Sequence, residues 1–130
     1  MNRTTKNQLP VPKRILVVED EPLVADAIQM AIGGMGHVVE IVNDAENALR
    51  MFEVGRYDLV ATDFTLPKMN GLDLARAIKV HSREQPVLLI SAYAHTGRWE
   101  PEEVADVAVV LCKPFTQEEL AGTVARALAR

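Results

Sequence analysis

The chain has 130 residues, room for one domain with a hydrophobic core rather than two. Apolar residues make up 48% and charged residues 25%, as in ordinary globular proteins. A net charge of −4 and 5% aromatic residues argue against a nucleic-acid surface built from basic side chains and stacking rings.

The N-terminal "MNRTTKNQLPVPK" is polar, carries two prolines and lacks the apolar stretch of a secretory signal. Residues 1–12 read as a flexible tail and 13–130 as the domain. No apolar stretch approaches the length of a membrane span. The single Cys112 excludes an internal disulfide and fits a reducing, cytoplasmic compartment; within its apolar run it reads as a small core residue.

Five short apolar runs follow: Ile15–Val18, Val38–Val42, Leu59–Ala61, Val87–Ile90 and Val107–Leu111. Near-continuous apolar runs indicate strands buried on both faces, hence a parallel sheet. The second run contains Glu40 and is the natural edge strand. Helical spacing separates the runs. Pro22 suits a first helical position; Val24, Ala27, Ile28, Ala31 and Ile32 make an inner face, and Gly33, Gly34 and Gly36 stop the helix. Asn43 and Glu46 resemble a capping box before Ala45, Ala48, Leu49 and Phe52. A third helix after Asn70-Gly71 buries Leu74, Ala77 and Ile78. Between Ala92 and Asp106, Gly97 and Pro101 leave a long loop and a short helix near Glu102–Ala105. Thr116 and Glu119 form a capping box, Phe115 and Leu120 a hydrophobic staple, and Leu120, Val124, Ala127 and Leu128 the inner face of a last helix. The pattern is a doubly wound α/β fold.

In a parallel sheet all strand C-termini open on one rim, where ligands bind. The first run ends in Glu19-Asp20, the third in Asp63, the fourth in Ser91 and the fifth in Cys112-Lys113-Pro114. Asp63 alone could be a turn residue, a metal ligand or a nucleophile. At ~5 Å and an effective dielectric of ~20, each pair of these acids would repel by roughly 3 kcal/mol, so the cluster needs a cation or a shared proton. Hard oxygen ligands on a loop-rich rim suit Mg2+. Lys113 adds a positive charge that could hold an anion against Asp63. That arrangement would make Asp63 a nucleophile toward phosphorus.

"VVEDEP", "DFTLPKMNG", "ISA" and "CKPF", in that order at strand ends, resemble the receiver domain of two-component response regulators. The resemblance covers about residues 13–130. It implies a five-stranded, flavodoxin-like parallel sheet of order 2-1-3-4-5. It implies that Asp63 accepts a phosphoryl group from a histidine kinase or histidine phosphotransfer protein, with Mg2+ held by Asp20, by Glu19 through a water, by Asp63 and by the Thr65 backbone carbonyl. Lys113 and Ser91, with neighbouring Ala92, would contact the phosphoryl group, and the Lys113–Pro114 bond would be cis. The protein would then be a signalling domain rather than an enzyme, catalysing only its own phosphorylation and dephosphorylation. A shift in conformation would alter the binding of an unknown downstream partner.

Three departures from the family pattern qualify this picture. Val110 stands where the family usually has a Tyr or Phe that moves with the switch hydroxyl; Trp99 or Tyr93 are candidate substitutes. Pro101 shortens the fourth helix, which favours a monomer over the usual symmetric dimer. Thr65 and Tyr93 occupy the positions that set the aspartyl-phosphate lifetime, and neither offers an acid or amide to orient water, so slow self-dephosphorylation is expected. An Asp-x-Asp phosphatase is disfavoured because Asp63-Phe64-Thr65 lacks the second acid. A phosphorylation-independent pseudo-receiver is disfavoured by the intact Asp20, Asp63, Ser91 and Lys113. His37, His81 and His95 lack metal-ligand spacing. The chain ends soon after its last helix, which suggests a stand-alone receiver or one cut from a hybrid kinase.

Overall fold

The computed structural model describes residues 11–92 and 99–129. Five parallel strands, β1 (Arg14–Val18), β2 (Val38–Val42), β3 (Leu59–Asp63), β4 (Val87–Ser91) and β5 (Val109–Cys112), lie in the order β2-β1-β3-β4-β5. Among the described residues, three α-helices cross between strands, α1 (Pro22–Gly33), α2 (Ala45–Met51) and α3 (Gly71–His81), and α4 (Gln117–Leu128) follows β5. Among the described residues of the fourth crossover, Pro101–Val104 form a 3₁₀ turn. This is the expected flavodoxin-like order, and the Glu40 strand is an edge.

Strand periodicity sorts the core into two layers. Ile15, Val17, Leu59, Ala61, Leu88, Ile90 and Leu111 turn toward α1 and α4, meeting Ile28, Ile32, Leu120 and Val124. Leu16, Val18, Val60 and Val87 turn the other way, onto Ala45, Ala48, Leu74, Ala75 and Ile78 of α2 and α3. The three inner strands are buried on both faces, which is why their sequences read as unbroken apolar runs. Each fully buried Leu or Ile contributes about 1.5–3 kcal/mol.

Local details correct several expectations. Asp44, not an Asn43–Glu46 box, caps α2, accepting from the Asn47 N–H at 2.7 Å. Phe52 is the residue after α2 rather than part of it. On α1, Ala25 is buried and Ala27 exposed, because the helix meets the sheet through Ala25, Ile28 and Ile32. On α3, Leu72 and Ala75 are buried, while Ala77 is only half-buried. β5 begins at Val109 rather than Val107, while β3 and β4 end at Asp63 and Ser91 as expected. Of Gly33, Gly34 and Gly36, which end α1, only Gly36 has a positive φ, +94°. Cys112 is half-buried rather than fully in the core. Thr116 and Glu119 do form the capping box of α4, and Phe115 packs against the core cluster that holds Leu120.

Candidate functional site

β3 carries the chain through the core to Thr62 and Asp63 at the C-terminal rim. Pairing aligns Asp63 with Ile90 and Ser91 with Cys112, so neighbouring strands end at nearly the same height. Glu19 extends β1 by one residue, its N–H donating to the Val42 carbonyl at 3.0 Å. Lys113 extends β5, its N–H donating to the Ser91 carbonyl at 3.0 Å. Glu19, Asp63 and Lys113 each fall two residues beyond Val17, Ala61 and Leu111, residues of one sheet face. Period-two alternation therefore sends the three charged side chains to the same side.

They meet there. Lys113 Nζ lies 3.1 Å from Asp63 Oδ1 and 3.7 Å from Glu19 Oε1. One carboxylate oxygen from each of Glu19, Asp20 and Asp63 lies within 4.8 Å of the others. Glu19 and Asp63 are buried, while Asp20 is exposed. Glu19 Oε2 accepts from the Glu21 N–H at 3.1 Å, but its buried Oε1 accepts no hydrogen bond among the described residues. Such an atom costs about 1–3 kcal/mol, and more when charged.

Electrostatics reflect the same imbalance. Burial pushes the Glu19 carboxyl above its ordinary range, and the charge on Asp63 adds to the push. Burial also raises Asp63, against the hydrogen bond and charge of Lys113. Burial alone would lower Lys113, but its hydrogen bond to Asp63 and the charges of Asp63 and Glu19 outweigh that and raise it. Three carboxylates against one ammonium leave excess negative charge where a further cation fits.

The loop after β3 packs tightly against the acceptor. Phe64 N–H donates to Ile90 O at 2.8 Å, and Phe64 O accepts from Gly71 N–H at 2.8 Å. Pro67, Lys68 and Met69 form a γ-turn: the Met69 N–H reaches Pro67 O at 2.7 Å, with Lys68 at φ +71°. Asn70 then caps α3, accepting from the Asp73 N–H at 2.8 Å. A Cβ on Gly71 would stand 2.4 Å from the Asp63 carbonyl oxygen. Gly71 was not foreseen as a site residue. The clue was a glycine at the first position of a helix, where it is a poor helix former and needs another reason to be there.

Of the other expected site residues, Ser91 is buried at the tip of β4, and Ala92 and Thr65 are exposed on loops nearby. The Lys113–Pro114 bond is cis. Val110 is half-buried in β5 opposite Leu89 and lines a groove of about 420 Å³ against α4. Trp99 packs on Phe64, with ring centroids 5.1 Å apart and planes tilted by 57°. Tyr93 and His95 lie outside the described residues. His37 is buried, its Nδ1 accepting from the Lys13 N–H at 3.1 Å, a structural role.

The family model of the response regulator receiver domain matches residues 15–125. The chain belongs to this family. It is 38% identical over 111 residues to the two-component response regulator PhoP of Pseudomonas aeruginosa, covering 82% of this chain and 48% of that protein. It is 33% identical over 109 residues to the transcriptional regulatory protein DltR of Streptococcus agalactiae, covering 82% and 48%. This receiver thus spans about half the length of the curated relatives it matches. Among solved structures it is similar to the response regulator TrrA of Thermotoga maritima in complex with Mg2+-BeF, with TM-score 0.80, 30% identity and coverage of 88% and 98%. It is equally similar to the receiver domain of a sensor histidine kinase from Pseudomonas aeruginosa with a magnesium ion in its active-site cleft, with TM-score 0.80, 29% identity and coverage of 92% and 100%. Among the described residues, no helix is long and apolar enough to cross a membrane.

Proposed function

We propose that residues 13–130 form a phosphoacceptor domain in which Asp63 takes a phosphoryl group from the phosphohistidine of a histidine kinase or phosphotransfer protein. The observation that carries this reading is the contact of Lys113 Nζ with Asp63 Oδ1, at 3.1 Å, inside a cluster of three acids in which a buried Glu19 oxygen accepts no hydrogen bond among the described residues. That donor set fits Mg2+, which would be held by Asp20, Asp63 and the Thr65 carbonyl, with Glu19 reaching it through a water. Bound there, the ion would neutralise the charge on the phosphoryl oxygens.

A carboxylate oxygen of Asp63 attacks phosphorus as the P–N bond of the donor breaks, and the released imidazole nitrogen keeps the electron pair. Lys113 holds one phosphoryl oxygen, with Ser91 and the backbone near Ala92 contacting another. Beyond this transfer and a slow loss of the phosphate, the domain carries out no catalysis. Its output is altered binding of a downstream protein, as a monomer in the cytoplasm. A tight dimer in sedimentation, formed only after phosphorylation, would count against the monomer. Loss of the phosphate within seconds, without a phosphatase, would count against slow turnover at Thr65 and Tyr93. The similarity to a sensor-kinase receiver supports a receiver within a hybrid kinase as well as it supports a separate regulator.

The test is incubation with Mg2+ and a small acyl phosphate, read by intact mass. The protein should gain one acid-labile phosphate that chelation prevents and Asp63→Asn removes. A phosphate retained in Asp63→Asn would overturn the assignment.

A further inference from the structure

α3 turns Leu74, Ala75 and Ile78 into the core and leaves a second stripe facing outward. Arg76, Lys79, Val80 and Arg83 follow at i, i+3, i+4 and i+7, the spacing of one helical face. The stripe runs past the end of the helix at His81 into the loop before β4. With Ala105 and Asp106 of the crossover before β5, these four residues line a groove of about 670 Å³. α3 has eleven residues, so at about 1.5 Å rise each its last turn stands roughly 15 Å from Gly71. Gly71 is the residue that presses on the Asp63 carbonyl. The groove therefore lies at the rim where the strands begin, opposite the acceptor.

Lys79 reaches back across the end of the helix. Its Nζ donates to the Arg83 carbonyl at 3.1 Å and the Gln85 carbonyl at 2.5 Å, which fastens the loop that carries Arg83. Arg76 pairs with Asp73 at 3.0 Å, an exposed pair that another carboxylate can replace at little loss. Arg83 is exposed and makes no ion pair among the described residues. Val80, 79% exposed, is an apolar step between these cations. Three cations thus face one acid, Asp106, on a chain whose net charge is −4. Of the neighbouring acids, Glu103 accepts the Glu100 N–H at 2.7 Å, and Glu84 lines an adjoining hollow of about 240 Å³.

We propose that this groove is a docking surface for an acidic peptide segment of another protein, with an apolar side chain resting on Val80 and flanking carboxylates meeting Arg76 and Arg83. Charge complementarity selects the occupant. A local excess of cations on an acidic chain draws acids in and turns basic segments away. Guanidinium groups match carboxylates in paired hydrogen bonds. Asp106 repels a dense polyanion such as a nucleotide, whereas a peptide offers it a backbone N–H. Val80 gives nothing to a free phosphate. A partner held at this rim leaves Asp63 open at the other.

The probe is a fluorescein-labelled peptide with one leucine between two pairs of glutamates, in glycine flanks, followed by anisotropy on the full chain. It should bind, and more weakly as salt rises. Arg83→Glu should weaken binding at least about tenfold. Val80→Ser should weaken it about fivefold. Both side chains are exposed, so melting should not change. Arg126→Glu, on the helix that covers the other face of the sheet, lowers the net charge equally and should bind as the unsubstituted chain does. Undiminished binding by Arg83→Glu, an equal loss in Arg126→Glu, displacement by an equal concentration of inorganic phosphate, or no binding at all overturns the docking surface. Phosphate uptake at Asp63 is read separately by mass; its failure overturns the acceptor reading and leaves this surface standing.

Discussion

Glu19 and Glu40 are both partly or wholly removed from water, yet their surroundings are opposite. Glu40, on the edge strand, accepts the Tyr57 hydroxyl at 2.6 Å and pairs with Arg14 at 2.8 Å and Arg56 at 3.5 Å. Its carboxyl is held below the ordinary value, first by the Tyr57 hydrogen bond, although burial works against this. Glu19 sits deeper, shares one lysine with Asp63 at the longer distance of 3.7 Å, has a buried oxygen without a hydrogen bond among the described residues, and is pushed upward. The first network closes on itself and holds an edge strand in place. The second is left incomplete by the protein's own atoms, and a bound ion is what completes it. An acid cluster marks a site when its charges are unbalanced and buried, not merely when they are close.

The largest expected effect comes from disturbing the incomplete cluster from behind. Gly71→Ala should destabilise the protein by about 1–3 kcal/mol through overpacking against the Asp63 carbonyl, and should slow phosphate uptake. Ile78→Val, a control on the same helix away from the rim, should cost about 0.5–1.5 kcal/mol and leave uptake intact. Denaturant melts and intact-mass time courses together separate the two effects.

Next is the ion. At about 100 times its dissociation constant, Mg2+ should stabilise the protein by roughly 2.7 kcal/mol. Asp63→Asn should abolish most of that gain, and Glu40→Gln should leave it unchanged. A thermal shift indifferent to Mg2+ would remove the distinction drawn between the two acids.

The two networks should also answer opposite substitutions oppositely. In the absence of Mg2+, Glu19→Gln should raise stability by about 1–3 kcal/mol, since it neutralises a buried carboxylate that burial and the charge of Asp63 disfavour. Tyr57→Phe should lower it by about 0.5–1.5 kcal/mol, since it takes a donor from Glu40. Chemical denaturation at neutral pH measures both; the same sign for the two would break the contrast.

The smallest effects are in pH. Glu40 is depressed in the folded state, so its contribution is present above its unfolded value of 4.5 and is lost as pH falls through the folded value. Burial lowers His37 below 6.5, so the neutral ring is favoured in the folded protein and stability declines as pH falls below 6.5. Glu19 and Asp63, raised by burial, work in the opposite direction as pH falls, so melting curves between pH 7 and 4 are compared with those of His37→Gln, which should lack the histidine part of the decline.

The element order, the inner and edge strands and the residues on the rim were legible in the chain. Unbroken apolar runs can be satisfied only by strands covered on both faces, and parallel crossovers place all their C-terminal ends together. The capping box at Thr116 and the short helical turn that Pro101 opens were legible too, since caps and prolines act locally. Less local features were misread. Asn43–Glu46 competed with Asp44 for one helix end, and Ala27 competed with Ala25 for one helix face. Neither contest is decided without the sheet that the helix packs on.

The amino-acid order alone determined which chemistry this receiver could bring to its rim, because the strand ends carry Glu19, Asp20, Asp63, Ser91 and Lys113 whatever their spacing in space. Only the tertiary structure decided that Lys113 pairs with Asp63, that a buried Glu19 oxygen accepts no hydrogen bond among the described residues, that Gly71 presses on the acceptor's carbonyl and that Trp99 rests on Phe64. Each of these depends on how the strand ends and loops are brought together in space. Burial, packing distance and charge imbalance are properties of the assembled layers, and no local stretch of residues contains them.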